Sequence, residues 1–128
     1  MKYLCLVYAA EEAVDALSES ELGRLVAESV AFGEALEARG TCLAMEALES
    51  VRTATTLRQR DGRLLVTDGP FAETREQLAG FFLLEAAGLH EALHLAARIP
   101  RAVLGSIEVR PVRPIRETAR AEALQRVQ

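Results

Sequence analysis

The chain has 128 residues, of which 50% are hydrophobic and 27% are charged, and its formal net charge is −4. This composition predicts one soluble globular domain, and the slight acidity argues against the clustered basic surface of a nucleic-acid-binding protein. No apolar run approaches the roughly 20 residues of a transmembrane helix, and the N-terminal segment has no signal-peptide cleavage site. We therefore expect a cytoplasmic protein with no nucleic-acid or membrane partner.

The first half of the chain predicts a strand, a helix and a second strand. Ser18 and Glu21 form a capping box at the start of the helix, and Gly40 supplies the left-handed residue that ends it. The first strand is apolar on both faces, which is typical of a strand covered on both sides. The predicted elements are a strand over 2–9, a loop or a frayed turn over 10–17, a helix over 19–39 and a strand over 41–49.

The second half predicts a hairpin, a strand, a short helix and a last strand. Asp61-Gly62 is the two-residue signal of a type I′ turn, which requires a positive φ at both central positions. The apolar residues of the short helix are expected to face inward: Leu89, Ala92, Leu93 and Ala96. The predicted elements are hairpin strands over 52–59 and 63–67, a polar loop over 72–77, a strand over 78–86, a helix over 88–98 stopped by Pro100, and a strand over 103–110.

The order of these elements, β-α-β-hairpin-β-α-β, predicts an α+β fold of the ferredoxin-like kind with an antiparallel sheet. Two helices cover only one face of such a sheet, yet strands 2–9 and 78–86 are apolar on both faces. A second copy of the sheet is the simplest cover, so the sequence predicts a homodimer packed sheet to sheet. We expect the domain to span residues 1–114, with a C-terminal tail over 115–128 that can form a short helix.

A short run on the second helix matches a metal motif. The run from His90 to His94 fits H-E-x-x-H, in which two histidines bind zinc and the glutamate, here Glu91, is the general base. A catalytic zinc site needs a third protein ligand, and the chain has no other histidine. Because the apolar residues of the helix are expected to face the sheet, these three side chains are expected to face solvent. Zinc-dependent hydrolysis is therefore a distant alternative, and we expect no metal.

Other cofactor signals are missing from the sequence. There is no G-x-G-x-x-G run, no P-loop and no cysteine cluster, so no cofactor is expected. Cys5 and Cys42 lie inside apolar stretches, where a free cysteine behaves as a small hydrophobic side chain. We expect both to be core thiols.

The tetrapeptide Asp68-Gly69-Pro70-Phe71 places a carboxylate at a strand end, where sheet proteins often carry reactive groups. The surrounding run, residues 65–83, closely resembles the hallmark segment of the DGPF proteins, a branch of the YCII-related family. The resemblance extends over about residues 1–114 and implies a dimeric α+β barrel. Its flanking parts are Met1-Lys2-Tyr3, Glu46-Ala47-Leu48, Ala54-Thr55-Thr56-Leu57-Arg58, Asp61-Gly62, Ala97-Arg98-Ile99-Pro100 and Ile107-Glu108-Val109-Arg110-Pro111-Val112.

The resemblance also suggests an activity. YCII-related proteins resemble small enzymes, some with a His-Asp acid/base dyad. Asp68 matches the acid of that motif, but no histidine here matches its partner. Arg75 stands where the family usually has lysine, and Ala79 where it usually has glycine. DGPF proteins are often encoded beside extracytoplasmic-function sigma factors, which implies a regulatory role by association.

We expect a polar pocket between the sheet and the Asp68 loop that binds a small molecule. Asp68 is the candidate acid/base or hydrogen-bonding group. Further candidate binding residues lie in or beside the matching segments: Glu46, Gly69, Glu73, Arg75 and Arg110. Two function classes remain open. One is an enzyme with Asp68 as general acid or base; the other is a non-catalytic regulatory or binding protein linked to a sigma factor.

Overall fold

A computed structural model describes residues 1–127 as a mixed α+β fold with a four-stranded antiparallel sheet and a separate two-stranded hairpin. The strand order in the larger sheet is β2-β5-β1-β6, and β3 pairs with β4 in the hairpin. The helices and strands are β1 (Lys2–Ala9), α1 (Glu11–Asp15), α2 (Glu19–Ala38), β2 (Cys42–Ala47), β3 (Thr55–Arg60), β4 (Arg63–Asp68), β5 (Gln77–Glu85), α3 (Leu89–Ala96), β6 (Gly105–Pro111) and α4 (Ile115–Val127).

Local signals set the ends of α2 and the turn of the hairpin, as the sequence predicts. The Glu21 backbone N–H donates to the Ser18 hydroxyl at 3.1 Å, and the Ser18 N–H donates to the Glu21 carboxylate at 3.3 Å. Gly40 follows the helix with φ +73°. Asp61 and Gly62 both have positive φ, 52° and 73°, as a type I′ turn requires.

Three segments differ from the sequence prediction. The predicted loop over 10–17 contains α1, because the Glu11 carboxylate binds the Ser50 hydroxyl and the Val51 N–H, a tertiary contact without a local signal. The strand predicted over 52–59 starts later, at Thr55, after a 3₁₀ turn at Val51–Thr53. The strand predicted over 103–110 starts at Gly105, because Pro100–Leu104 forms a second 3₁₀ turn.

The predicted inner stripe of α3 is partly wrong. Ala92 and Ala96 are buried as predicted, but Leu89 and Leu93 are 51% and 49% exposed. Leu95 is buried in their place, at 5% exposure. Ile99, beyond the end of the helix, is also buried and continues the stripe of buried residues at helical spacing. The burial of Ile99 therefore determines which face of α3 packs against the sheet.

The buried core lies on one face of the four-stranded sheet. Leu36 of α2 and Leu95 of α3 pack there with Cys5, Val7 and Leu84 of the central strands. Both helices therefore cover the same face, and we call the opposite one the open face. Within residues 1–127 the sheet does not close into a barrel.

An irregularity in β2 puts Cys42 and Met45 on the same face of the sheet. Cys42 pairs with Leu84, but Ala44 pairs with Leu83, so the register shifts across Leu43. Cys42 and Met45 consequently both contact the core, although simple alternation predicts opposite faces. Cys5 and Cys42 are free and buried, as predicted. Burial, together with the neighbouring Cys42, raises the pKa of the Cys5 thiol to about 11, so it stays an inert thiol at neutral pH.

The open face carries an apolar centre. Leu4 lies opposite Leu83, and Leu6 lies opposite Phe81, on the two central strands. None of these four side chains belongs to the buried core of the described residues. Since helices cover only the other face, this apolar surface is available to a second molecule.

The C-terminal tail forms α4, and every described side chain over 115–126 is exposed. Ile115 and Leu124 are 67% and 66% exposed, so over residues 115–126 no side chain of the helix is buried against the rest of the described chain. No helix within residues 1–127 has both the length and the apolarity to cross a membrane.

Truncation after Pro114 should therefore change the free energy of unfolding by less than about 0.5 kcal/mol, because every side chain described over 115–126 is exposed. Thermal denaturation of the full-length and truncated chains measures this difference. A fall of many degrees would instead mean that the tail packs across a subunit boundary.

Candidate functional site

The Asp68 turn is held together without the Asp68 carboxylate. The Gly69 N–H donates to the Ala54 carbonyl at 2.7 Å, and the Thr56 hydroxyl donates to the Gly69 carbonyl at 2.8 Å. Gly69 has φ +107°, a conformation that favours glycine. Among residues 1–127, no donor forms a hydrogen bond or ion pair with the Asp68 carboxylate. The carboxylate is thus exposed and free to bind a ligand.

Asp68 lies at the end of an exposed apolar stripe on the hairpin. In the β3–β4 register, Asp68 is opposite Thr55, and the pairs Leu57–Val66 and Gln59–Leu64 share its face. Leu57 and Val66 are each 63% exposed, and Leu64 is 60% exposed. Phe71, just beyond the turn, is 75% exposed, and Arg58 donates to its carbonyl at 3.1 Å. The hairpin therefore presents an uncovered apolar surface next to a carboxylate.

Among residues 1–127, no hydrogen bond or ion pair joins the Asp68 carboxylate to another predicted site residue within one protomer. Glu46 pairs with Phe81 and Arg110 pairs with Leu4, so both are on the open face, but on opposite edge strands. Three strand spacings separate the two edges, about 14 Å at ~4.8 Å each. Glu73 and Arg75 are exposed in the loop that follows the hairpin. The predicted site therefore stays a prediction.

The H-E-x-x-H run lies on the solvent side of α3. His90 and His94 are exposed, and a carboxylate oxygen of Glu91 accepts a hydrogen bond from the Ala87 N–H at 3.1 Å. This contact satisfies a backbone donor at the start of the helix. Within residues 1–127, no group of three or more His, Cys, Asp and Glu side chains is placed to hold a metal ion. In this structure Glu91 binds the backbone of the residue that precedes the N-cap, Gly88.

A cavity of about 270 Å³ lies between α2 and the sheet. At its floor Gly80 is paired with Val7 and Ala47. A Cβ on Gly80 would lie 2.6 Å from the Glu46 carbonyl oxygen, so only glycine lets β2 approach this closely. The lining is mostly apolar: Val7, Val26, Ser29, Val30, Met45, Glu46, Ala47, Ala79, Gly80, Phe81, Phe82 and Arg101.

A second cavity of about 160 Å³ adjoins the first and shares Ala79 and Arg101 with it. Of the predicted site residues, only Glu46 lines either cavity. Sequence reasoning missed Arg101, because nothing local marks an arginine in a 3₁₀ turn as a cavity residue. Gly80 was the available signal in the sequence, because a glycine inside an otherwise apolar strand indicates that another backbone segment approaches it closely.

Two comparisons with known proteins bear on this fold. The YCII-related domain matches residues 1–116. An uncharacterised protein of Rhizobium meliloti (strain 1021) is 39% identical over 114 residues, which cover 88% of this chain and 92% of that protein. The domain match spans all six strands and ends just inside α4.

Proposed function

Since the chain belongs to the YCII-related family, we propose that it forms a homodimer of ferredoxin-like protomers and binds a small polar molecule beside Asp68. We place it in the DGPF branch on the segment Asp68-Gly69-Pro70-Phe71. The observation that carries the proposal is the Asp68 carboxylate, which is exposed and unpaired at a turn that other groups hold in place. A carboxylate with no structural partner is available as a hydrogen-bond acceptor or a general base.

The dimer in this proposal packs open face to open face. Leu4, Leu6, Phe81 and Leu83 form an apolar centre that no element of their own chain covers. Burial of such a surface is favourable at roughly 25 cal/mol per Å² of apolar area. A twofold interface is self-complementary, so a second copy supplies the matching apolar centre. In this proposal the exposed stripe of the hairpin also packs against the second copy, with Asp68 at the end of the stripe.

Binding without catalysis is the second candidate function. Within residues 1–127, no acid or base side chain lies within hydrogen-bond distance of the Asp68 carboxylate, and both histidines are exposed on α3. A regulatory role linked to an extracytoplasmic-function sigma factor belongs to this candidate. Turnover of a bound compound would favour the enzyme, whereas reversible binding alone favours the regulatory protein.

Asp68→Asn separates a ligand-binding role of Asp68 from a structural one. Asparagine keeps the shape and one acceptor oxygen, so the free energy of unfolding should change by about 1 kcal/mol or less. Compounds selected from a library of small polar metabolites by thermal shift of the wild type should bind the variant at least about tenfold more weakly, because a charged hydrogen bond is lost.

Asp61→Asn is the matched control, since it removes an exposed carboxylate from the turn at the other end of the same hairpin, where asparagine also tolerates the positive φ. It should bind the selected compounds as the wild type does. Severe unfolding of Asp68→Asn, with no separable loss of binding, would show that Asp68 is a structural turn residue and would end the proposal.

A further inference from the structure

Arg101 is a partly buried cation without a partner. It lies in the 3₁₀ turn Pro100–Leu104, between the two adjoining cavities. Among residues 1–127, it takes part in no ion pair and no side-chain hydrogen bond. Its guanidinium nitrogens keep contact with solvent, since no side-chain N or O atom of the described residues is both buried and unpaired. An anionic ligand in these cavities can therefore reach the guanidinium and pair with it.

The acidic side chains near Arg101 do not take this role. Glu11, Asp15 and Glu49 line the smaller cavity, which Arg101 also lines. The two carboxylate oxygens of Glu11 already accept hydrogen bonds from the Ser50 hydroxyl and the Val51 N–H. None of the three acids forms an ion pair with Arg101.

Mostly apolar side chains line the larger cavity, together with Arg101. Val26 and Val30 of α2 and Met45 and Phe82 of the sheet form its walls. The Ser29 hydroxyl donates to the Leu25 carbonyl at 2.9 Å, so toward the cavity it can only accept. Glu46 pairs with Phe81 on the open face, so its side chain points away from the helix side of the sheet. Arg101 is therefore the charged side chain that faces the apolar volume.

We propose that this cavity binds a small amphipathic carboxylate, with the guanidinium of Arg101 on the carboxylate and a short hydrocarbon chain against the valines of α2. An apolar cavity of about 150 Å³ holds benzene, so about 270 Å³ has room for a short aliphatic acid. Guanidinium binds carboxylate with two parallel hydrogen bonds, which fixes the orientation of the chain. Asp68 lines neither cavity, so this site is separate from the one proposed above.

Hexanoate is the probe, and hexan-1-ol is the uncharged analogue of the same chain length. Binding is followed by NMR titration of the methyl groups of Val26, Val30 and Met45. Hexanoate should shift these methyls, and Arg101→Gln should weaken its binding at least about tenfold, because a charge-assisted hydrogen bond is lost. Binding of hexan-1-ol should be the same in the wild type and in Arg101→Gln. Arg98→Gln, which removes an exposed arginine that lines neither cavity, should bind hexanoate like the wild type.

A second variant tests the location. Ala47→Leu adds volume at the cavity floor, beside Gly80, and should abolish binding of both probes. Asp68→Asn should bind hexanoate like the wild type, which keeps this test independent of the Asp68 proposal. The inference is overturned if wild-type protein does not bind hexanoate, if Arg101→Gln binds it equally well, or if Arg98→Gln weakens binding as much as Arg101→Gln.

Discussion

Leu95→Ala should lower the free energy of unfolding by about 2–5 kcal/mol, the usual cost of truncating a buried leucine. Leu95 is 5% exposed and packs in the core against the sheet. Leu93→Ala is the matched control on the same helix, where the side chain is 49% exposed. It should change the free energy of unfolding by less than about 0.5 kcal/mol.

Chemical denaturation of the two variants measures this contrast. The pair tests which face of α3 is buried, since the sequence prediction placed Leu93 on the buried face and the structure places Leu95 there. Equal costs at the two positions would mean that the helix is rotated from the orientation described here.

The second large effect is expected at Gly105, where β6 begins. A Cβ there would clash with the Tyr8 carbonyl oxygen and lie 2.9 Å from the Ala9 Cα, both of them backbone atoms of β1. Backbone in a paired strand cannot move aside cheaply, so Gly105→Ala should cost about 1–3 kcal/mol.

Gly23→Ala provides the opposite case. Gly23 lies inside α2 and has no atom within 4 Å of the position that a Cβ would take. Alanine there should stabilise the protein by about 1 kcal/mol, because it restricts the unfolded chain and favours the helix. Denaturant midpoints should therefore move in opposite directions for the two variants. A Gly105→Ala variant as stable as the wild type would contradict the close β1–β6 approach.

Features set by neighbouring residues could be predicted from the sequence. The capping box of Ser18 and Glu21, the φ of Gly40 and the Asp61-Gly62 turn depend on a few adjacent residues, and each was predicted correctly. The mixed α+β class with an antiparallel sheet was also predicted correctly, because apolar periodicity reports burial of each element.

Features that depend on distant residues could not be predicted. Helix α1 depends on a contact of Glu11 with Ser50 and Val51, far along the chain. The buried face of α3 is set by packing that continues into Ile99. The cavity under α2 is lined by five separate segments, and no local pattern indicates that Arg101 lines it. The motif at Asp68 identified a turn and an exposed carboxylate, but not the residues around them.

The sheet-to-sheet dimer is the central claim, and the mass of the protein in solution tests it most directly. Light scattering at micromolar concentration should give twice the chain mass of 13.9 kDa for the wild type. Leu6→Arg puts a charge at the centre of the open face, opposite Phe81, and should reduce the mass to that of one chain. Leu93→Arg, on the exposed side of α3, should remain dimeric. A wild-type mass near 13.9 kDa would contradict the account.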